Sequence, residues 1–188
     1  MSNDFCRNAQ EKVNLQTYQR KLSDIIEFLP DAILAIDNEK RVIIWNNDIE
    51  TMTGIPATEM IGKGAYAYSI PFCGEAQPQL MDLIFQDDDQ IASRYSKLTR
   101  EGDVIKAEVF CPALYNNKGA WVYTMALPIY DQFGNTIGAI ESIQDISEHL
   151  QLMNELKSKS RFIEAQANAS LDGILIVDEN QKRILTFE

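Results

Sequence analysis

Three runs rich in β-branched and aromatic residues, 104–114, 120–130 and 136–143, are separated only by Asn116-Asn117-Lys118-Gly119 and Asp131-Gln132-Phe133-Gly134-Asn135. Links this short leave no room for a crossover, so consecutive runs must pair antiparallel. Nearer the start, Ala32-Ile33-Leu34-Ala35-Ile36 and Val42-Ile43-Ile44-Trp45 flank the turn-rich Asp37-Asn38-Glu39-Lys40 and predict one more hairpin. The order two strands, connection, three strands fixes most of the fold class.

The connection reads as short helices. Asn46 and Asn47 suit the cap of a helix over 48–52 that Gly54 ends, and 58–61 suggests a further turn. Residues 63–78 are broken by Gly64, Pro71 and Gly74 yet carry Tyr66, Tyr68 and Phe72, which predicts a segment folded inward. Leu80, Met81, Leu83, Ile84, Ile91, Tyr95 and Leu98 predict helix on both sides of Asp87-Asp88-Asp89. The economical layout is α+β: a five-stranded antiparallel sheet with short helices on one side. Flanking helices are predicted at 8–29, where Leu15, Leu22 and Leu29 recur at sevens before Pro30, and at 148–167, with Leu152, Leu156 and Ile163 as its apolar stripe.

The chain also repeats itself. Asp31-Ala32-Ile33-Leu34-Ala35-Ile36-Asp37 returns as Asp172-Gly173-Ile174-Leu175-Ile176-Val177-Asp178, and Lys40-Arg41-Val42-Ile43-Ile44-Trp45-Asn46 as Lys182-Arg183-Ile184-Leu185-Thr186-Phe187-Glu188. The expected organisation is therefore an N-terminal helix over 1–29, a domain over 30–147, a connecting helix over 148–168, and the truncated start of a second such domain over 169–188. A lone hairpin is marginal in water, so 169–188 is expected to lack a core of its own.

Charge and cysteine usage narrow the partners. Seventeen Lys and Arg against 28 Asp and Glu leave a net charge of −11, which repels phosphate backbones and anionic lipid. Cys6, Cys73 and Cys111 are too few and too widely spaced for a disulfide framework or a metal pair. With neither a signal-peptide pattern nor an apolar run long enough to span a bilayer, a cytoplasmic location is expected.

Chemistry of its own is not expected of this segment. Gly62-Lys63-Gly64 lacks the spacing and the hydroxyl residue of a phosphate loop, and Asp87-Asp88-Asp89 reads as a solvated run with no further ligands to complete a metal site. The single histidine, His149, sits in Ser147-Glu148-His149-Leu150 without the Arg-Thr-Pro that follows a phospho-acceptor histidine.

Several segments in order resemble a PAS domain: Leu29-Pro30-Asp31-Ala32-Ile33 through Asn46, Thr53-Gly54, Ile61-Gly62-Lys63, Pro128-Ile129-Tyr130-Asp131, Ile137-Gly138-Ala139-Ile140, and Asp145-Ile146-Ser147-Glu148. The resemblance spans about 22–148 and resumes near Ala169. It implies a sheet wrapped around a small pocket, a homodimer formed through the flanking helices, and an output domain elsewhere in a signalling protein, such as a sensor histidine kinase. The family's cysteine-containing flavin motif is not matched, and 75–100 hold no histidine for haem, so flavin and histidine-ligated haem are not expected. The ligand itself stays unknown.

A pocket is expected where the aromatic segment meets helix and sheet, at Tyr66, Tyr68, Phe72, Gln77, Arg94, Tyr95 and Tyr115, with Arg94 suited to holding a carboxylate. The same aromatics would also serve as core packing. At the junction, Asp145 can anchor the end of the last strand while Ser147 starts the exit helix, so a strand shift would move that helix. Two functions remain open: a ligand sensor, and a ligand-free relay module of a diguanylate cyclase or transcription regulator.

Overall fold

The structure, a computed structural model, describes residues 2–168, 174–177 and 183–187, which divide into two units, Met1–Ile146 and Ser147–Glu188. In the first unit, helix α1 (Ser2–Glu27) leads into β1 (Ala32–Asp37) and β2 (Val42–Trp45). The Asp37 carboxylate closes their turn by accepting from the backbone N–H groups of Glu39 and Arg41, each at 2.9 Å. Lys40 passes through the turn in the left-handed conformation, φ 61°.

Short helices α2 (Asn47–Thr53), α3 (Ala57–Met60) and α4 (Ile70–Cys73), a 3-10 turn at Leu80–Ile84, and α5 (Asp89–Ala92) then cover one face of the sheet. The expected Asn46 cap and Gly54 stop of α2 are both present, Gly54 lying at φ 75°. Three strands follow the pattern read from the turns: β4 (Val104–Cys111), β5 (Ala120–Tyr130) and β6 (Thr136–Asp145).

One element differs. Tyr95 and Leu98 do not extend a helix, because α5 stops at Ala92 and Ser96–Glu101 forms strand β3, paired antiparallel with β4. The sheet therefore has six strands in the order β2-β1-β6-β5-β4-β3, all neighbours antiparallel. In β3 Leu98 is half-buried and the other five residues are exposed, so the strand carries little apolar alternation.

Alternation on the inner strands is regular. The inward rows are Leu34 opposite Glu141, Glu141 opposite Ala126, and Ala126 opposite Ile105, with Ala32, Ile143, Thr124 and Ala107 forming the next row. Against them pack Ile49, Met52, Tyr68, Phe72, Leu80, Met81 and Ile91 from the helical layer. β1 and β6 approach so closely that a Cβ at Gly138 would strike the Ile36 carbonyl.

The second unit contains α6 (Ser147–Asn168) and the hairpin β7 (Ile174–Val177) with β8 (Arg183–Phe187). A bulge between Ala35 and Ile36 in the first hairpin falls between Ile176 and Val177 in the second, at the equivalent place in the repeat. The rest of 169–188, on which the expectation of a missing core also falls, lies outside the described residues.

Asn46 ties the first unit's opening together. Its buried side chain accepts from Ile33 N–H at 2.9 Å and Ile49 N–H at 3.2 Å, and donates to the Ile26 and Asp31 carbonyls at 3.0 Å each. One amide thus joins α1, the start of β1 and the N-terminus of α2, with all four of its hydrogen-bonding positions used. Asn46→Ala leaves the Ile33 N–H buried without a partner and removes the helix cap. It is expected to cost about 2–4 kcal/mol, read as a lower midpoint in urea unfolding with unchanged slope; a loss under about 0.5 kcal/mol would remove Asn46 from this role.

Candidate functional site

An inward-facing carboxylate marks the interior. Glu141 lies midway along β6 at 3% exposure, between Ala139 and Ile143 on the inner face. The Thr124 hydroxyl of β5 donates to its Oε1, and the Met81 N–H of the 3-10 turn donates to Oε2 at 3.3 Å. Burial pushes the Glu141 carboxyl up to about 7; the Thr124 and Met81 hydrogen bonds only partly oppose this, and the nearby Asp82 carboxylate adds to it.

Glu141 opens onto a cavity of about 40 Å³. Its wall is mixed: Phe72, Val109, Val122 and Ile143 are apolar, while Gln79, Tyr95, Thr124 and Glu141 bring polar atoms, and Cys73 and Cys111 bring free thiols. A cavity of this measure has room for about three water-sized groups. Burial raises the Cys111 thiol and the Tyr95 phenol, and Glu141 raises both further, so these groups stay protonated around neutrality.

A second buried carboxylate stands beside the first. Asp82 is fully buried; its Oδ2 accepts from the Tyr68 hydroxyl and the Gln79 N–H, both at 2.8 Å. Lys40 Nζ reaches in from the β1–β2 turn to 2.8 Å from Asp82 Oδ1. The ammonium also lies 3.3 Å from the Tyr66 hydroxyl, 5.1 Å from the Tyr66 ring centroid and 5.8 Å from that of Phe85. Burial alone would lower the Lys40 ammonium, but Asp82 outweighs it and the net direction is upward. Lys40 is thus held charged, and Asp82 is compensated.

The seven residues expected to line a pocket are distributed as follows. Phe72 and Tyr95 reach the cavity. Tyr68 is buried on Asp82, and Tyr66 packs edge-on against it with ring centroids 6.1 Å apart. Arg94 is exposed and its guanidinium donates to Gln77 Oε1 and, at 3.1 Å, to the Pro78 carbonyl. Those two residues belong to the loop between Cys73 and Gln79, both on the cavity wall, so Arg94 fastens the outside of that loop.

Tyr115 lies at the sheet's exit end, apart from the cavity. Residues 114–117 form a left-handed turn, with Tyr115 at φ 52°, Asn116 at φ 58° and Asn117 at φ 65°. Burial, together with the Asp145 carboxylate to which it is hydrogen-bonded, pushes the Tyr115 phenol up to about 12. Left-handed backbone is costly for tyrosine, and this bond is one interaction that holds it there. The Ala113 N–H donates to the Phe72 carbonyl at 3.1 Å, so the same turn is attached to the cavity wall. β6 ends at Asp145, the Ile146 N–H donates to the Trp121 carbonyl at 2.9 Å, and α6 begins at Ser147.

The sequence reading overlooked Glu141, Thr124, Lys40 and Asp82. For the first two a signal existed: strict alternation places 139, 141 and 143 on the face of β6 that buries, and 122, 124 and 126 on that of β5. Lys40 and Asp82 carry no such signal, since they meet only through the tertiary fold. Among the described residues no group of three or more His, Cys, Asp or Glu could hold a metal ion, and no helix is long and apolar enough to cross a membrane.

The family model described as PAS fold matches residues 26–151. Phytochrome B-2 of Glycine max is 25% identical over 174 residues, which cover 88% of this chain and 14% of the phytochrome. A solved RNA-binding light-oxygen-voltage receptor is 16% identical at TM-score 0.53, covering 76% of this chain and 37% of the receptor. The solved PAS domain of BvgS from Bordetella pertussis is 18% identical at TM-score 0.49, covering 78% of this chain and 98% of that domain. The chain thus spans a minor part of the phytochrome and of the receptor.

Glu141 makes stability depend on pH in a definite direction. Its carboxyl binds a proton up to about pH 7 when folded, against an ordinary value of 4.5. Between these values the folded chain holds the proton that the unfolded chain has lost, so the contribution is complete below 4.5 and fades as pH rises through 7. The total is on the order of 3 kcal/mol. Urea unfolding from pH 4.5 to 8 should show this decline in the native chain relative to Glu141→Gln, which has no proton to lose there; parallel curves would mean the carboxyl is hydrated.

Proposed function

The chain belongs to the PAS-fold family, and on that footing we propose that it is the sensory and dimerisation module of a sensor histidine kinase, responding to a small molecule. The observation that carries this reading is the placement of β6. One strand brings Glu141 to the cavity and, four residues later, ends at Asp145, just before α6 begins at Ser147. A ligand that changes the hydrogen bonding of Glu141 acts on the strand that continues into the exit helix.

A second route runs beside it. Phe72 on the cavity wall is bonded to Ala113, and Tyr115 two residues on is bonded to Asp145. Both routes converge on the end of β6. Exposed Tyr18, Leu22 and Ile25 on α1, and Leu152, Leu156 and Ile163 on α6, suit pairing with a second copy. No catalysis is assigned to this segment, and its net charge of −11 argues against contact with nucleic acid. The free thiols Cys73 and Cys111 suit the cytoplasm.

The small size of the cavity favours a second reading, in which the domain relays a partner's signal without a ligand, as part of a diguanylate cyclase or transcription regulator. Amide NMR of the whole chain against compounds of up to six non-hydrogen atoms separates the two. The sensor reading predicts saturable shifts at Thr124 and Ile143 accompanied by shifts at Asp145, Ile146 and Ser147. A cavity silent to every compound, in a chain that forms a stable dimer, would favour the relay.

A further inference from the structure

Two carboxylates are buried side by side in the interior, and among the described residues one cation, Lys40, reaches them. Lys40 is engaged by Asp82 at 2.8 Å. Glu141 meets only the Thr124 hydroxyl and the Met81 N–H, both neutral donors, and no cationic side chain lies within ion-pair distance of it among the described residues. The titratable groups around it are Asp82 and Tyr68 from the helical layer, Tyr95 from the segment before β3, and Cys73 and Cys111 from α4 and β4. All of these are acids, and none supplies a positive charge.

A buried carboxylate left without a cation is costly when ionised, so it either keeps its proton or acquires a partner. The cavity onto which Glu141 opens is the place for that partner. We propose that the cavity binds a short alkylammonium or hydroxyalkylammonium compound, its ammonium on Glu141 and its hydrocarbon against Val109, Val122 and Ile143. The inference rests on reading the cavity as the domain's ligand site, and adds the charge and size of what it takes.

The dimensions agree. Room for about three water-sized groups admits two to four non-hydrogen atoms, the size of ethylammonium or ethanolammonium. An ammonium has three N–H donors; Glu141 accepts one and the Thr124 oxygen has a lone pair for another. Phe72 and Tyr95 line the same space and give the remaining charge aromatic surroundings. An anionic ligand would meet the Glu141 carboxylate on the cavity wall, and a neutral alcohol would bring it no counter-charge.

The test uses calorimetry and amide NMR on the whole chain at pH 7.5 with ethylammonium, ethanol and acetate, which share size and differ in charge. Ethylammonium is expected to shift Thr124 and Ile143 saturably and to bind about tenfold or more tighter than ethanol or acetate. Glu141→Gln is expected to erase that preference. Calorimetry of the native chain at pH 6.5 in buffers of different ionisation enthalpy gives a second readout that needs no variant, because pairing expels the Glu141 proton and approaches one proton released per ligand. If ethanol or acetate binds as well as ethylammonium, if Glu141→Gln keeps the preference, or if no proton is released, the ammonium assignment falls while a ligand site remains. If none of the three compounds shifts a cavity residue, the ligand-site reading falls and takes the assignment with it.

Discussion

Glu141 is a carboxylate that the sheet buries in the interior, and its hydrogen bonds tie the sheet to the helical layer. β6 is paired on both sides, with β1 and with β5, so its inward side chains have no route to solvent along the sheet. Thr124 answers from the adjacent strand, and the Met81 N–H answers from the helical layer, 60 residues away in sequence. That second bond pins the 3-10 turn Leu80–Ile84 onto the sheet at a fixed height. This bond is one of the contacts that set the helical layer, and with it the cavity wall, over the sheet.

The neighbouring Asp82 shows the other solution to the same problem. It takes a full ion pair with Lys40 and a hydrogen bond from Tyr68. Buried pairs of this kind add little net stability over apolar packing, because desolvation offsets their attraction. They do discriminate between arrangements, since a helical layer shifted by one residue would leave Asp82 without Lys40. Asn46 serves similarly at the other end of the domain, where one side chain specifies how α1, β1 and α2 meet. Polar contacts thus set register in a core whose bulk is aliphatic and aromatic.

Much of this fold could be read from local chemistry. Asp37 and Asp131 make side-chain turns, Gly54 ends a helix in the left-handed region, and the intervening runs alternate, so four hairpin strands and α2 fall where their residues put them. Strand β3 was not legible, because Ser96–Glu101 is mostly exposed and polar and owes its conformation to pairing with β4. Of the candidate site, Phe72 and Tyr95 were reached by their aromatic character, while Arg94 and Gln77 fasten the loop outside. Aromatic character alone groups Tyr115 with the pocket, yet three consecutive left-handed residues carry it to Asp145 instead, a path that no propensity of Tyr-Asn-Asn foretells.

The proposed function therefore depends on one physical state: a buried carboxyl facing a cavity, with no cationic side chain among the described residues within ion-pair distance, on the strand that leads to the exit helix. Carbon-13 NMR of the Glu141 side-chain carboxyl across pH reads that state directly. The account predicts a single titration with a midpoint near 7 in the folded chain, whereas a midpoint at the ordinary 4.5 would show a hydrated group and contradict it.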